Sequence, residues 1–370
     1  MINFENRLKS LKDRRQGTRE RALLENNAQA YDLKDYRSVE AYEGLTESDA
    51  VKYAIGAMAA VNHDSTRISI EEGERVADTL ISMLATEGVS VTKEMQGSVA
   101  LDIHIEGYSD VDMLMLKEDI VLVQTPKVDG TPVSCSDPRS MEDMVKEIRV
   151  LSEDKLTSRY HAAHVDCSNN KSIALSGGSL KRKVDVVPAC WHHTHDYQRT
   201  GQKHDKAVRI YHKGKHTLEG NQPFLHMKRV NDKDSHYSGN LKKVARLLKN
   251  IVADMPAAKK RVAKQLSSYD IVAIAYNMND YLDCPEYMSL TLVEKTRAYL
   301  SLLKGTEDYR NSIETPDGGR KVFNEVGKVD ALEIITKEVE DLAISIYKAL
   351  EPQGQQTYDS NALITKSVFL

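Results

Sequence analysis

The segment Asp110-Val111-Asp112-Met113-Leu114-Met115-Leu116 sets two carboxylates at the head of an unbroken apolar run. Such a run reads as a buried strand, and "DIVLVQTP" after it reads as a second one, joined through a polar turn at Lys117-Glu118. Side chains alternate along a strand, so Asp110 and Asp112 face the same way. Two anions held that close repel each other and call for a cation. Hard divalent ions such as Mg²⁺ bind through one or two carboxylates together with substrate phosphates. A third acid on a neighbouring strand would complete a two-metal site. Asp185 in "KVDVVPA" is the candidate, because it stands between valines, where an unpaired acid is costly. The plain alternative is that these aspartates mark strand ends or an exposed face.

Gly97-Ser98 lies 12 residues before Asp110. A Gly-Ser turn lets backbone N–H groups approach a phosphate and adds a hydroxyl donor. The chain has no GxxxxGK[ST], so this is not a P-loop. Gly177-Gly178-Ser179 is a second small-residue turn, read as a plain hairpin because it falls between two strands.

The chain has 370 residues, for which two domains is the natural expectation. Hydrophobic residues make up 41% and charged residues 29%, an ordinary globular composition. No stretch approaches the roughly 18–20 apolar residues of a membrane span. The start, "MINFENRLKSLKDRRQGTRER", lacks the apolar core of a signal peptide, so the expected location is the cytoplasm, without membrane attachment. Cys135, Cys167, Cys190 and Cys284 form no CxxC pair, which excludes a zinc ribbon and indicates no disulfide framework. The net charge of −4 argues against a dedicated nucleic-acid coat. Lys242, Lys243, Arg246, Lys249, Lys259, Lys260, Arg261 and Lys264 are nevertheless concentrated in one stretch, as a polyanionic ligand or a solvated helix face would require.

Residues 1–45 are charged and read as broken helix. A helix starting near Thr46, with Asp49 at capping-box spacing, and a longer one over Thr66–Thr86 ending at Gly88 follow. Residues 88–220 carry most of the strand signal. Ser140 caps a helix through "SMEDMVKEIRVLSEDKL", and "KSIALSGGSLKRKVDVVPAC" reads as two strands stopped by Pro188. "AVRIYHKGKHTL" reads as a hairpin around Lys213-Gly214. After about residue 235 the pattern is helical, with Leu241, Val244, Ala245, Leu248, Ile251 and Val252 on one face. The expected organisation is α+β and bilobal. Residues 1–235 form a lobe with a small mixed sheet, 236–350 a helical lobe, and 351–370 a polar tail. A cleft between lobes is a usual ligand site.

The order Gly-Ser turn, Asp-x-Asp strand, third Asp on a later strand resembles the polymerase-β-like nucleotidyltransferase superfamily. "GYSDVDMLML", "KVDVVPA", "NQPFLHMKRVN" and "RLLKNI" together resemble its bacterial relatives of cyclic GMP–AMP synthase, the CD-NTases. The resemblance runs from about Gly97 to Leu282. It implies an enzyme that makes a cyclic di- or oligonucleotide second messenger from ribonucleoside triphosphates, ATP among them, in anti-phage signalling. It implies catalytic and metal-binding roles for Asp110, Asp112 and Asp185, with two Mg²⁺ ions, or Mn²⁺ in their place. It further implies that Gly97, Ser98, Lys249 and Ser268 hold the triphosphate and that Tyr269 lies under the base. On the residues alone, the favoured reading is a surface lysine at Lys249 and a core tyrosine at Tyr269. The expected partners are the nucleotides and an effector that reads the cyclic product, and the enzyme is expected to be a monomer.

Two departures stand out. "VALDIHIEG" follows the Gly-Ser turn without the Gly-Thr common in relatives, and no zinc insertion of the animal DNA sensor is present, so no DNA requirement is expected. "CWHHTH", Cys190 to His195, is dense in possible ligands but fits no zinc spacing, and reads as a polar loop after Pro188. The alternative functions are transfer of nucleotides to RNA or protein, for which the basic stretch would serve as a docking surface, and a non-catalytic nucleotide- or RNA-binding relative. The three clustered acids argue against the latter.

Overall fold

The computed structural model describes residues 2–16, 40–135, 137–353 and 357–369. The N-terminal helical expectation therefore lies outside the described residues over 17–39. In chain order the helices are α1 (Phe4–Arg15), α2 (Asp49–Met58), α3 (His63–Thr86), α4 (Gly97–Ala100), α5 (Met141–Arg159), α6 (His195–Thr200), α7 (Pro223–His236), α8 (Asn240–Asp254), α9 (Ala257–Ala263), α10 (Ser268–Tyr276), α11 (Ser289–Gly305), α12 (Glu307–Ser312), α13 (Val326–Leu350) and α14 (Asn361–Ile364). The strands are β1 (Val91–Gln96), β2 (Val111–Val123), β3 (His164–Asp166), β4 (Ile173–Ser176), β5 (Val184–His193), β6 (Lys206–His212) and β7 (Thr217–Asn221).

The chain divides into two compact units, one of residues 62–102 and 109–229, the other of 1–61, 103–108 and 230–370. This differs from the expected split at 235, because the N-terminal helices join the C-terminal ones. Charge pairing shows why. Arg7 of α1 pairs with Glu338 of α13 at 2.5 Å and donates to the Ile251 carbonyl of α8. Arg14 pairs with Asp254, which also accepts from the Tyr53 hydroxyl. Both acids are almost fully buried, so separating these helices would strand charges in the interior.

The first unit is built on one sheet, in the order β1-β2-β5-β4-β3, with β6 on β5 and β7 on β6. β2 and β5 run parallel and the other neighbours antiparallel. Alternation splits the apolar run of β2 between two faces. Val111, Met113 and Met115 face a core with Val76, Leu80 and Leu84 of α3 and Ile148 and Leu156 of α5. Leu114 and Leu116 face Val187, Ala189, Trp191 and Phe224. A strand covered on both sides is apolar throughout, which is why periodicity alone shows no polar face here.

Three expectations change. The Lys117-Glu118 turn is a bulge within one long strand, since the β2–β5 register shifts between Lys117 and Leu122 and the strand continues. Lys117 is buried and pairs with Asp119 there. Pro188 does not stop β5. On that edge β4 pairing ends at Val186 and β6 pairing begins at Ala189, so the proline falls between two partners, where a sheet tolerates a missing N–H. The cap of α2 is Ser48, whose side chain accepts from the Val51 N–H, rather than Thr46. The Ser140 cap of α5 forms as expected, accepting from the Asp143 N–H, and the hairpin of β6 and β7 is present. The end of the tail is docked within its own unit. Leu363 is buried on α14, and the Val368 N–H donates to the Tyr287 carbonyl.

Candidate active site

β1 ends at Gln96, which stands opposite Asp112 in the β1–β2 register. The chain then turns at Gly97, with φ +79°, into the short helix α4. A Cβ at Gly97 would lie 2.2 Å from Asp112 Oδ2, so glycine is required both by the backbone and by the carboxylate beside it. Ser98 follows in the first turn, where helix N–H groups have no intrahelical acceptor.

On the other side of β2 the parallel register sets Asp112 beside Asp185. Both belong to the face that carries Leu114 and Val187, at the end where the two strands begin. Asp110 precedes β2 by one residue. Its Oδ2 accepts from Lys183 Nζ at 2.6 Å, and the same ammonium stands 3.7 Å from Asp185 Oδ1. Ser172 Oγ donates to Asp185 Oδ2 at 3.2 Å. Asp185 Oδ1 is buried and has no donor within hydrogen-bond range. Burial is the main reason its carboxyl is held above the usual carboxylate range. The Lys183 charge pulls the other way and the Asp110 charge pushes further up.

Ser172 is itself held from behind. The buried guanidinium of Arg149 donates to the carbonyls of Cys167 and Asn169 at 3.1 and 2.9 Å, and Asn169 Oδ1 accepts from the Ser172 N–H at 3.4 Å. Arg149, Ser172 and Lys183 are site residues that sequence reasoning missed. Lys183 had a signal, since it lies two residues before Asp185 and so on the same face of that strand.

The first unit thus brings Gly97, Ser98, Asp110, Asp112 and Asp185 together. Lys249, Ser268 and Tyr269 belong to the other unit. Lys249 is no surface lysine. It is buried on α8, and its Nζ donates to the Ile103 carbonyl at 2.8 Å. Ser268 opens α10 and is exposed, while the cap is Ser267, which exchanges hydrogen bonds with Asp270. Tyr269 is half-buried, with the Arg320 guanidinium 5.7 Å from its ring centroid. Burial and then the Asp317 charge raise its phenol well above the ordinary value.

The donor set suits a hard cation. It consists of three carboxylates, one with a buried oxygen that has no hydrogen-bond donor. A positive group, the Lys183 ammonium, already lies against two of them. Among the described residues no three His, Cys, Asp or Glu side chains stand as a metal-holding group, and Asp110 is turned onto Lys183 instead. Asp112 and Asp185, side by side, would hold a divalent ion, and Asp110 would join them on leaving Lys183.

Cys190–His195 is not a loop. Its first four residues belong to β5, and alternation sends Cys190 and His192 to one face and Trp191 and His193 to the other, so these ligands do not converge. Burial lowers His193 to about 4, which leaves it neutral near pH 7. The basic stretch is only partly an open surface, with Arg261 and Lys264 exposed but others engaged. Arg246 is buried and donates to the Met58 carbonyl at 2.8 Å, and Lys259 pairs with Glu338 at 2.7 Å. Lys242 and Lys243 stand near Asp234 and Glu286.

Comparison with known proteins identifies the family. Residues 228–341 match the cGAS/DncV-like nucleotidyltransferase C-terminal helical domain. A cyclic dinucleotide synthase CdnE of Yersinia aleksiciae is 32% identical over 368 residues, covering 96% of this chain and 95% of that protein. The chain belongs to the CD-NTase family. A c-di-GMP synthase of a Lachnospiraceae bacterium is 30% identical over 328 residues, covering 82% of this CD-NTase and 89% of the relative. The solved structure of a STING-associated CdnE c-di-GMP synthase from Capnocytophaga granulosa superposes with a TM-score of 0.69 at 27% identity, over 93% of this chain and 99% of that one. The chain is a nucleotidyltransferase, and its mixed sheet with C-terminal helices is the fold of the family. Among the described residues no helix is long and apolar enough to cross a membrane.

Proposed function

We propose that this CD-NTase joins ribonucleoside triphosphates into a cyclic dinucleotide at Asp110, Asp112 and Asp185. The observation that carries the reading is the parallel register that sets Asp112 beside Asp185, with Gly97 against Asp112 on the opposite side. A divalent cation, Mg²⁺ or Mn²⁺, would supply charge neutralisation for the attacking and leaving oxygens. Asp110, Asp112 and Asp185 are the residues that would hold it. The N–H groups at Gly97 and Ser98 orient the phosphates, and such positioning supplies much of the rate in phosphoryl transfer. Asp185, whose raised affinity for a proton comes from burial, is the group we assign as base for the attacking hydroxyl. The family resemblance, and not a distance in the structure, is what assigns Lys249 and Ser268 to the triphosphate and Tyr269 to the base.

Three similar proteins are named c-di-GMP synthases, which makes GTP the first substrate to test, beside ATP. A STING-associated relative points to an effector that binds the cyclic product, as anti-phage signalling requires. The test is incubation with all four ribonucleoside triphosphates and Mg²⁺ or Mn²⁺, one α-labelled at a time, followed by phosphatase and separation. A resistant small product is expected. Label appearing only on RNA or protein overturns the reading. Tyr269→Ala is expected to raise the KM for nucleotide about tenfold, the value of one base stacked on an aromatic ring, with little change in melting temperature. A large drop in melting temperature at unchanged KM would make Tyr269 a core residue.

A further inference from the structure

The register that pairs Val111 with Val184 sets Asp110 next to Lys183, two residues before Asp112 meets Asp185. Four charged side chains, three acids and one ammonium, therefore share one face of two parallel strands. The ammonium is in hydrogen-bond contact with Asp110 at 2.6 Å but only approaches Asp185, at 3.7 Å. A purely structural ion pair would satisfy the buried partner first, yet the buried Asp185 Oδ1 is the atom left without a donor. The Lys183 side chain is 43% exposed against 17% for Asp185, so it reaches in from solvent on a flexible stem and can withdraw into water. Its backbone role is separate, because the Lys183 carbonyl accepts from the Val111 N–H at 3.0 Å whatever side chain it carries.

We propose that Lys183 is a built-in counter-ion of the acidic site, which holds the Asp110 carboxylate in the metal-free protein and must be displaced when a divalent cation binds. Lys183 thereby sets the metal affinity as a positioning residue and is not itself a ligand. The inference rests on the metal reading of the triad given above. It places the competition at Asp110, the carboxylate that must turn from the ammonium to the ion, while Asp112 and Asp185 stay where the register puts them.

The test is a thermal-shift titration of the full chain with Mn²⁺ in the absence of nucleotide. Lys183→Met is expected to lower the half-saturating concentration roughly two- to fivefold, the range that a partly exposed ion pair supports. It should also lower the metal-free melting temperature, since the three acids then repel without a cation among them. Lys183→Gln keeps a donor for Asp110 without the charge and should also bind Mn²⁺ more tightly, while Lys183→Arg should match the wild type. Asp112→Asn is the reference and should remove the metal-dependent shift. If either neutral variant binds with the wild-type midpoint while Asp112→Asn still abolishes the shift, the counter-ion proposal fails and the metal site stands. If the wild type shows no shift that Asp112→Asn removes, the metal reading fails and this inference with it.

Discussion

Asp112→Asn is expected to abolish formation of the cyclic product, by at least about 10³-fold, while the melting temperature of the metal-free protein stays level or rises. The size follows from the several kcal/mol of charge stabilisation that a bound divalent ion provides, at about 1.4 kcal/mol per tenfold in rate. The stability half follows from the charge balance. Asp112 lies beside Asp185 in a cluster where three carboxylates face one ammonium, so its removal relieves repulsion. Product assay and thermal melting on the same preparation check both halves. Near-normal turnover would remove Asp112 from the chemistry, and a melting temperature lower by several degrees would make it a structural residue.

The neighbouring acid adds a pH signature. The Asp185 carboxyl is held above its ordinary value of 3.8, with burial as the leading cause. The folded protein therefore binds that proton more tightly than the unfolded chain does. The resulting stabilisation is present in acid, below the ordinary value, and is lost as pH rises through the raised one. At neutral pH the charged form is a net burden on the metal-free fold.

The strands that carry the acids were legible in the sequence because a short apolar run bounded by polar residues is a local signal. Alternation placed Asp110 and Asp112 on one face and drew attention to Asp185 between valines. It does not give register, and register is what brings Lys183 to Asp110. The rule that a proline ends a strand assumes a continuous partner on each edge, and at Pro188 the partner changes from β4 to β6. Lys249 shows a different limit. It borders an apolar stripe, but its carbonyl acceptor belongs to the segment 103–108, about 146 positions away in the chain, and no local pattern reports such a contact. The same holds for the N-terminal helices. Their charges, Arg7 and Arg14, find buried acids only on α13 and α8.

Gly97→Ala is the substitution that most directly tests how the turn and the acids are joined. Two separate penalties act there. A left-handed backbone costs a non-glycine residue about 1–2 kcal/mol, and φ at Gly97 is +79°. The added Cβ would also stand 2.2 Å from Asp112 Oδ2 and 3.2 Å from its Cγ, so the carboxylate must leave its place beside Asp185. Activity is therefore expected to fall nearly as far as in Asp112→Asn, with a moderate loss of stability. Gly88→Ala separates the two effects. Gly88 has a similar φ of +75°, but a Cβ there meets nothing within 4 Å. It should show the backbone penalty in a melting experiment and keep its rate of product formation. If both variants lose stability alike and both retain activity, Asp112 does not need the position that Gly97 leaves open, and the geometry assigned to the acids is wrong. If only Gly97→Ala is inactive, the glycine of the turn acts on the chemistry through the carboxylate it accommodates.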